Sequence, residues 1–318
     1  VQQRRLLLHF GAVDWHATVW VNNQYAGEHK GGFDPFTFDI TGLVNGSGRQ
    51  EVVVKAWDPT DQGTQPRGKQ VTEPGGIYYT PVTGIWQTVW LEMVPSRYIQ
   101  SLKLTPDIDG QQLAVQVKAG QIDDSTIHAD VYMGGEWLSK AAVRAHGGSG
   151  TTFSVAIPEL RLWTPEDPFL YDLRVSLRRD GEIVDEVSSY FGMREVGMER
   201  DEDGFMRLTL NNKPLFQYGV LDQGWWPDGL YTAPTDEALK YDIEVIRSMG
   251  FNMLRKHVKV EPARFYYHCD RLGMLVWQDM PNGNPHGELR VGSGDSEDVV
   301  REPASAAQFE TELQAMVD

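Results

Sequence analysis

The chain has 318 residues, 41% hydrophobic and 23% charged, which suits two or three folded domains with true cores. Its formal net charge of −16 repels phosphate backbones and anionic headgroups, which argues against nucleic acid or a charged membrane surface as partner. In addition, no apolar run approaches the roughly 18 residues of a membrane-spanning helix.

The sequence opens at Val1 without a methionine or a signal-like segment, and strand-like sequence begins at Arg5, so a mature or trimmed start is expected. From there to about residue 97 the rhythm is β. "ATVWVNN" alternates into the turn pair Asn22–Asn23, "FTFDIT" alternates, "EVVVKAWD" has the look of a buried run, and "GIWQTVWLEMV" alternates again. Gly31, Gly32 and Pro35 punctuate these segments, and the pattern predicts a jelly-roll sandwich over 1–97. A second β region covers 98–196, with "LAVQVKA", "IHADVYM", "TTFSVAI" and a long pair of runs joined at Asp180–Gly181, a strong hairpin signal. About seven short strands in about 100 residues predict an immunoglobulin-like sandwich.

Over 197–318 the rhythm changes to α/β. "KPLFQYGV" is strand-like, and "DEALKYDIEVIRSMG" is a helix with Thr235 as N-cap, Leu239, Ile243 and Ile246 on one face, and Gly250 as stop. "FNMLRKH" is a strand, "PARFYYHCDRLG" a helix between Pro262 and Gly273, and "MLVWQD" a strand. "SAAQFETELQAMVD" is a helix with Ser305 and Gln308 as a capping box and Phe309, Leu313 and Met316 on one face. Three strand–helix units in sequence predict parallel strands joined by crossover helices. Between the third strand and the last helix, residues 280–304 form a connection long enough to expect a functional or disordered loop.

In sheets of this kind the ligand sits beyond the C-terminal strand ends. Strand alternation places Met253, Arg255 and His257 on one face and Leu254 and Lys256 on the other. Charge at the end of a buried strand is thereby explained, because in a barrel that end faces substrate. Asp222, Gln223, Trp225 and Trp226 follow the first strand, and Trp277 and Asp279 share a face at the end of the third. Two plainer readings stand beside these. Arg255 can be a structural ion-pair partner of Asp222 or Asp279, and the two tryptophans can anchor the loop on the core instead of walling a sugar site. Cys269, the single cysteine, excludes an internal disulfide and leaves the compartment open, and the 8 histidines lack metal-ligand spacing. Neither a metal nor another cofactor is expected.

Several stretches resemble glycoside hydrolase family 2, the group of β-galactosidases, β-glucuronidases and β-mannosidases. They are "LLHFGAVDWHATVWVNN", "HKGGFDPFTFDIT", "TGIWQTVWLE", "LWTPEDPFLYDL", "YFGMRE", "LNNKPLFQYGV" and "GFNMLRKHVKVEPARFYYHCDRLGMLVWQDMP", in family order over nearly the whole chain. The resemblance implies a sugar-binding-type jelly roll, an immunoglobulin-like domain, and the first three units of a β/α barrel, a fold that takes eight units and about 250 residues. It also implies retaining exo-hydrolysis of a terminal β-linked sugar by two carboxylates about 5–5.5 Å apart. In the family the acid/base Glu follows an Asn at the end of strand four and the nucleophile lies on strand seven. The present sequence has no Asn-Glu dipeptide, so no catalytic residue is assigned and the chain itself is expected to be inactive.

Arg255 carries over from the family pattern, with His257, Asp222, Gln223, Trp225, Trp226 and Asp279 as further carbohydrate-contacting candidates. The galactosidases and glucuronidases place a His three residues after that Arg, a His where Gln223 stands, and an acid where Tyr78 stands. The expected parent is an exo-β-glycosidase of β-galactosidase type. The alternatives are a β-glucuronidase or β-mannosidase specificity, or a non-catalytic carbohydrate-binding or structural module. A three-stranded parallel sheet with free edges further predicts self-association or partial mobility of this region.

Overall fold

In the computed structural model, which describes residues 4–120, 122, 124–146, 150–282, 288–289, 299–300 and 302–317, the first alternating runs form two facing antiparallel sheets. One has the order Phe36–Asp39, Arg4–Phe10, Val89–Pro95, and the other Gln24–Lys30, His16–Val21, Val52–Trp57. Leu8, Phe10, Val19, Val21, Phe36 and Ile40 fill the space between them. Asn22 and Asn23 take φ of 49° and 62°, the left-handed pair that a two-residue hairpin needs. The expectation of a buried run over "EVVVKAWD" fails. Val52–Trp57 is an edge strand, so Val54 and Ala56 pack on the core while Val52 and Val53 stay 45% and 44% exposed.

The second β region is a sandwich of seven strands among the described residues. Thr151–Ala156, Gln112–Ala119 and Ile99–Asp107 form one sheet, and Glu136–Arg144, Thr126–Met133, Tyr171–Arg179 and Glu182–Phe191 the other. Inward residues such as Leu113, Val115, Ile127, Val131, Leu173 and Val175 are at most 1% exposed. The Asp180–Gly181 turn forms as expected, with φ of 51° and 87°. Among the contacts between this sandwich and the following region, three converge on one residue. Asp270 accepts from Arg194 at 2.7 Å and Tyr190 at 3.1 Å, and its carbonyl from the Trp163 indole at 2.7 Å.

The strand expected over "KPLFQYGV" is divided. Lys213–Pro214 closes a small antiparallel meander with Val196–Arg200 and Met206–Leu210, and a separate strand begins at Gly219. That strand, Gly219–Asp222, pairs in parallel with Met253–Lys256, which pairs in parallel with Leu275–Gln278. The crossover helices are Asp236–Ser248 and Ala263–Leu272. Thr235 caps the first by accepting the Ala238 N–H, and Gly273 ends the second at φ 74°. Leu239, Ile243, Leu254, Phe265, Cys269 and Met274 pack between helices and sheet, and among the described residues the opposite sheet face is uncovered.

The last helix spans Pro303–Val317, and the expected capping box is absent. Proline has no N–H to lose in a first helical turn and presets φ, so the helix starts before Ser305. The Ser305 hydroxyl instead donates to the Thr64 carbonyl, and the Gln308 amide to Lys30 O and Glu312. Phe309, Leu313 and Met316 are half-buried on a helix tied to the jelly roll. The expected long connection lies largely outside the described residues. Within it, Glu288–Leu289 pairs antiparallel with Val299–Val300.

Candidate functional site at the parallel strand ends

The two faces of the second parallel strand carry different chemistry. Arg255 lies in register between Leu221 and Trp277, and these three side chains are 48%, 51% and 47% exposed on the uncovered face. The Arg255 guanidinium holds Asp279 with two bonds of 2.9 Å, and His257 Nδ1 lies 3.0 Å from the same carboxylate. Burial disfavours the Asp279 charge, yet the hydrogen bonds and charges of Arg255 and His257 outweigh it and hold the carboxyl below its usual range. The ion-pair reading of Arg255 is therefore realised with Asp279 and not with Asp222. A half-exposed guanidinium with its fork already oriented still presents its edge to the open face.

Lys256 points the other way, into the helix layer, and is 1% exposed. Its Nζ donates to Asp222 at 2.7 Å and to Glu261 at 2.9 Å and sits over the Phe265 ring. Glu261 also pairs with the buried Lys259 at 3.0 Å, whose Nζ donates to the Gly224 and Tyr231 carbonyls. Burial works against both ammonium groups. At Lys256 the Glu261 and Asp222 carboxylates win and the pKa rises, whereas at Lys259 burial wins and the pKa falls. Asp222 therefore belongs to the hidden side of the sheet. Sequence reasoning missed Lys256, Lys259 and Glu261. The available signal was a lysine on the same strand face as Leu254, followed by the alternation Lys259–Val260–Glu261.

Gln223 is exposed and makes no hydrogen bond among the described residues. Trp226 behaves as a loop anchor, packing on the helix-side core and exchanging backbone bonds with Leu230. Trp225 instead lies at the seam with the jelly roll, 4.8 Å from the Tyr79 ring and 4.6 Å from the Tyr231 ring. The same seam holds Phe33, Trp86 and Ala12, with Thr232 donating to the Trp86 carbonyl at 2.7 Å. Asp222 to Trp226 line an open concavity of about 610 Å³ together with Asp242. A second concavity of about 750 Å³ lies between the jelly roll, the last helix and residues 260–266, and includes none of the sequence-predicted site residues.

The model described as "Glycosyl hydrolases family 2, sugar binding domain" matches residues 1–95, and that described as "Glycosyl hydrolases family 2" matches residues 97–194. The chain belongs to glycosyl hydrolase family 2. Among its curated relatives, a β-glucuronidase of Bacteroides fragilis is 27% identical over 303 residues, covering 91% of this chain and 42% of the relative. A β-galactosidase of Thermoanaerobacter pseudethanolicus is 25% identical over 300 residues, covering 90% and 38%. The solved β-glucuronidase of Bacteroides uniformis superposes with a TM-score of 0.78 at 22% identity, over 99% of this chain and 37% of that one, a likeness of fold. This family 2 chain thus spans less than half the length of these relatives. Among its described residues, no group of three His, Cys, Asp or Glu side chains could hold a metal ion.

Proposed function

We propose that this family 2 chain supplies the sugar-facing part of a retaining exo-β-glycosidase, acting on terminal β-galactosides or β-glucuronides, the two activities in the relatives' names. The observation that carries this reading is the placement of Arg255 and His257 together on the uncovered face at the C-terminal ends of parallel strands. The three strands then correspond to the first units of a β/α barrel, with the hydrolytic carboxylate pair supplied by sequence beyond these residues. Arg255, with Asp279 fixing its fork, would hold a sugar hydroxyl or orient a catalytic carboxylate. Trp225, Gln223 and His257 would complete the rim.

On this reading the 318 residues alone do not hydrolyse glycosides, while the full-length gene product does. Assaying both against nitrophenyl β-galactoside, β-glucuronide and β-mannoside tests it. Turnover by the 318 residues alone would overturn the inactivity, and a full-length protein inert on every sugar would overturn the function. Phe216, Leu221 and Trp277, which are 82%, 51% and 47% exposed on or near the uncovered region, support the self-association expected of the isolated chain. A monomer at all concentrations in light scattering would refute that.

A further inference from the structure

The carboxylates at the strand ends each face a cation. Asp222 has Lys256, Glu261 has Lys256 and Lys259, and Asp279 has Arg255. Glu312, on the last helix, is different. It is 4% exposed, and among the described residues no cation pairs with it. Its Oε1 accepts from Gln308 at 2.7 Å and from the Trp15 indole at 3.2 Å, while Oε2 is buried without a hydrogen-bond partner. The Gly32 N–H also favours its charge.

Asp34 lies near it, on the jelly roll. Its Oδ2 is 3.1 Å from His29 Nε2, and its Oδ1 is buried without a partner. Gly31, at φ 149°, leaves room for that oxygen, since a Cβ there would collide with it. The Asp34 charge raises the Glu312 pKa, and the buried Asp14 feels the Glu312 charge in turn. Both Asp34 and Glu312 line the concavity of about 750 Å³ between the jelly roll, the last helix and residues 260–266. Its wall is otherwise largely apolar, with Pro35, Phe36, Trp90, Pro262, Met280 and Met316. Arg264, the one lysine or arginine of that wall, is exposed and lies 3.5 Å from Asp236.

A carboxylate that gives up hydration without gaining a donor is unfavourable, and two in one low-dielectric cavity concentrate negative potential there. An ammonium ion supplies charge-assisted N–H donors to both, and aromatic walls favour a cation beside them. A hard metal ion needs several oxygen ligands, whereas among the described residues no group of three His, Cys, Asp or Glu side chains could hold one. A free sugar offers hydroxyls all round its ring, whereas this wall is mostly carbon. We infer that the concavity is a site for a small organic ammonium ion with an apolar body. Its charge sits on Asp34 and Glu312, and its carbon skeleton lies against Phe36, Trp90 and Met316. The volume suits such a ligand. Met280 directly follows Asp279, so the occupant abuts the segment that fixes Arg255 and leaves the strand-end site itself open. The site does not depend on the glycosidase reading proposed above.

The test is calorimetric titration of the 318-residue chain at pH 8, above the value of about 7 to which burial brings Glu312. The probes are n-hexylammonium and phenethylammonium chlorides, their neutral counterparts n-hexanol and phenethyl alcohol, and calcium chloride. At least one ammonium ion should bind about tenfold or more tighter than its alcohol, the scale of charge-assisted hydrogen bonds. Preference for the hexyl probe assigns an aliphatic body, and preference for the phenethyl probe an aromatic one. Glu312→Gln keeps an acceptor for Gln308 and Trp15 and should remove the advantage over the alcohol. Ala315→Trp, at an exposed helix position on the cavity wall, should block both ammonium ions while leaving the two carboxylates in place. An unchanged circular dichroism spectrum should accompany each variant. Equal binding of ammonium ion and alcohol overturns the site, as does a preference that survives Glu312→Gln or Ala315→Trp. Calcium bound in a Glu312-dependent way, with neither ammonium ion bound, makes it a metal site and overturns the organic ligand.

Discussion

Arg255 and Lys256 are neighbours in sequence, each paired to carboxylate, and they live in different solvents. Arg255 meets Asp279 on an open face, where water competes for both partners and the pair contributes little to stability. Lys256 meets Asp222 and Glu261 in the helix layer, where each member has given up its hydration and depends on the others. One pair is therefore available to a ligand and the other is committed to the fold. An ion pair at a strand end is informative about function only once its face is known.

The contrast is most easily broken at Lys256. Replacing it by Met strands the buried Glu261 and Asp222 charges, with an expected loss of about 3–5 kcal/mol in urea unfolding. A loss no larger than that of an exposed pair would show that the buried network is hydrated and the contrast false. Glu312 extends the contrast to a buried carboxylate without a cation. Burial is the main cause of its rise from 4.5 to about 7, against hydrogen bonds from Gln308 and Trp15. The folded state then holds a proton that the unfolded state releases between those values. Stability should accordingly fall as pH rises from 4.5 to about 7, by about 3 kcal/mol. In Glu312→Gln that decline should vanish, leaving the variant more stable than the parent at pH 8 in thermal melts.

Arg255→Gln should cost at most about 1 kcal/mol of stability while lowering kcat/KM of the full-length enzyme, so that folding and activity separate. The smallest effect is at low pH. The Asp279 carboxyl is held below 3.8 in the fold, so its contribution is complete above 3.8 and lost as pH falls through the depressed value. Acid unfolding of Asp279→Asn should lack that limb, and an identical profile for the two proteins would deny the pair any role even there.

Local chemistry was legible in the sequence wherever one residue decides a conformation. Asp180–Gly181, Asn22–Asn23, the Thr235 cap and the Pro262 and Gly273 boundaries all form as expected, because φ preference and side-chain capping act within a few residues. Alternation likewise put Arg255 and His257 together and Lys256 opposite. It could not say that the Lys256 face is roofed by the helices, which is why the Glu261 network and the true side of Asp222 went unseen. Nor could adjacent tryptophans be told apart before the jelly roll came against one of them. Two expectations failed for nearer reasons. Pro303 started the last helix ahead of Ser305, and the edge position of Val52–Trp57 left valines in water that composition alone would bury.

The three grips on Asp270 have a mechanical corollary. Guanidinium, phenol and indole from the middle sandwich converge on one residue of the helix behind the Arg255 strand. That point is a fulcrum. A pull applied across the junction would load all three bonds together, so force spectroscopy should show the joint yielding in one step, with Asp270→Asn lowering its rupture force.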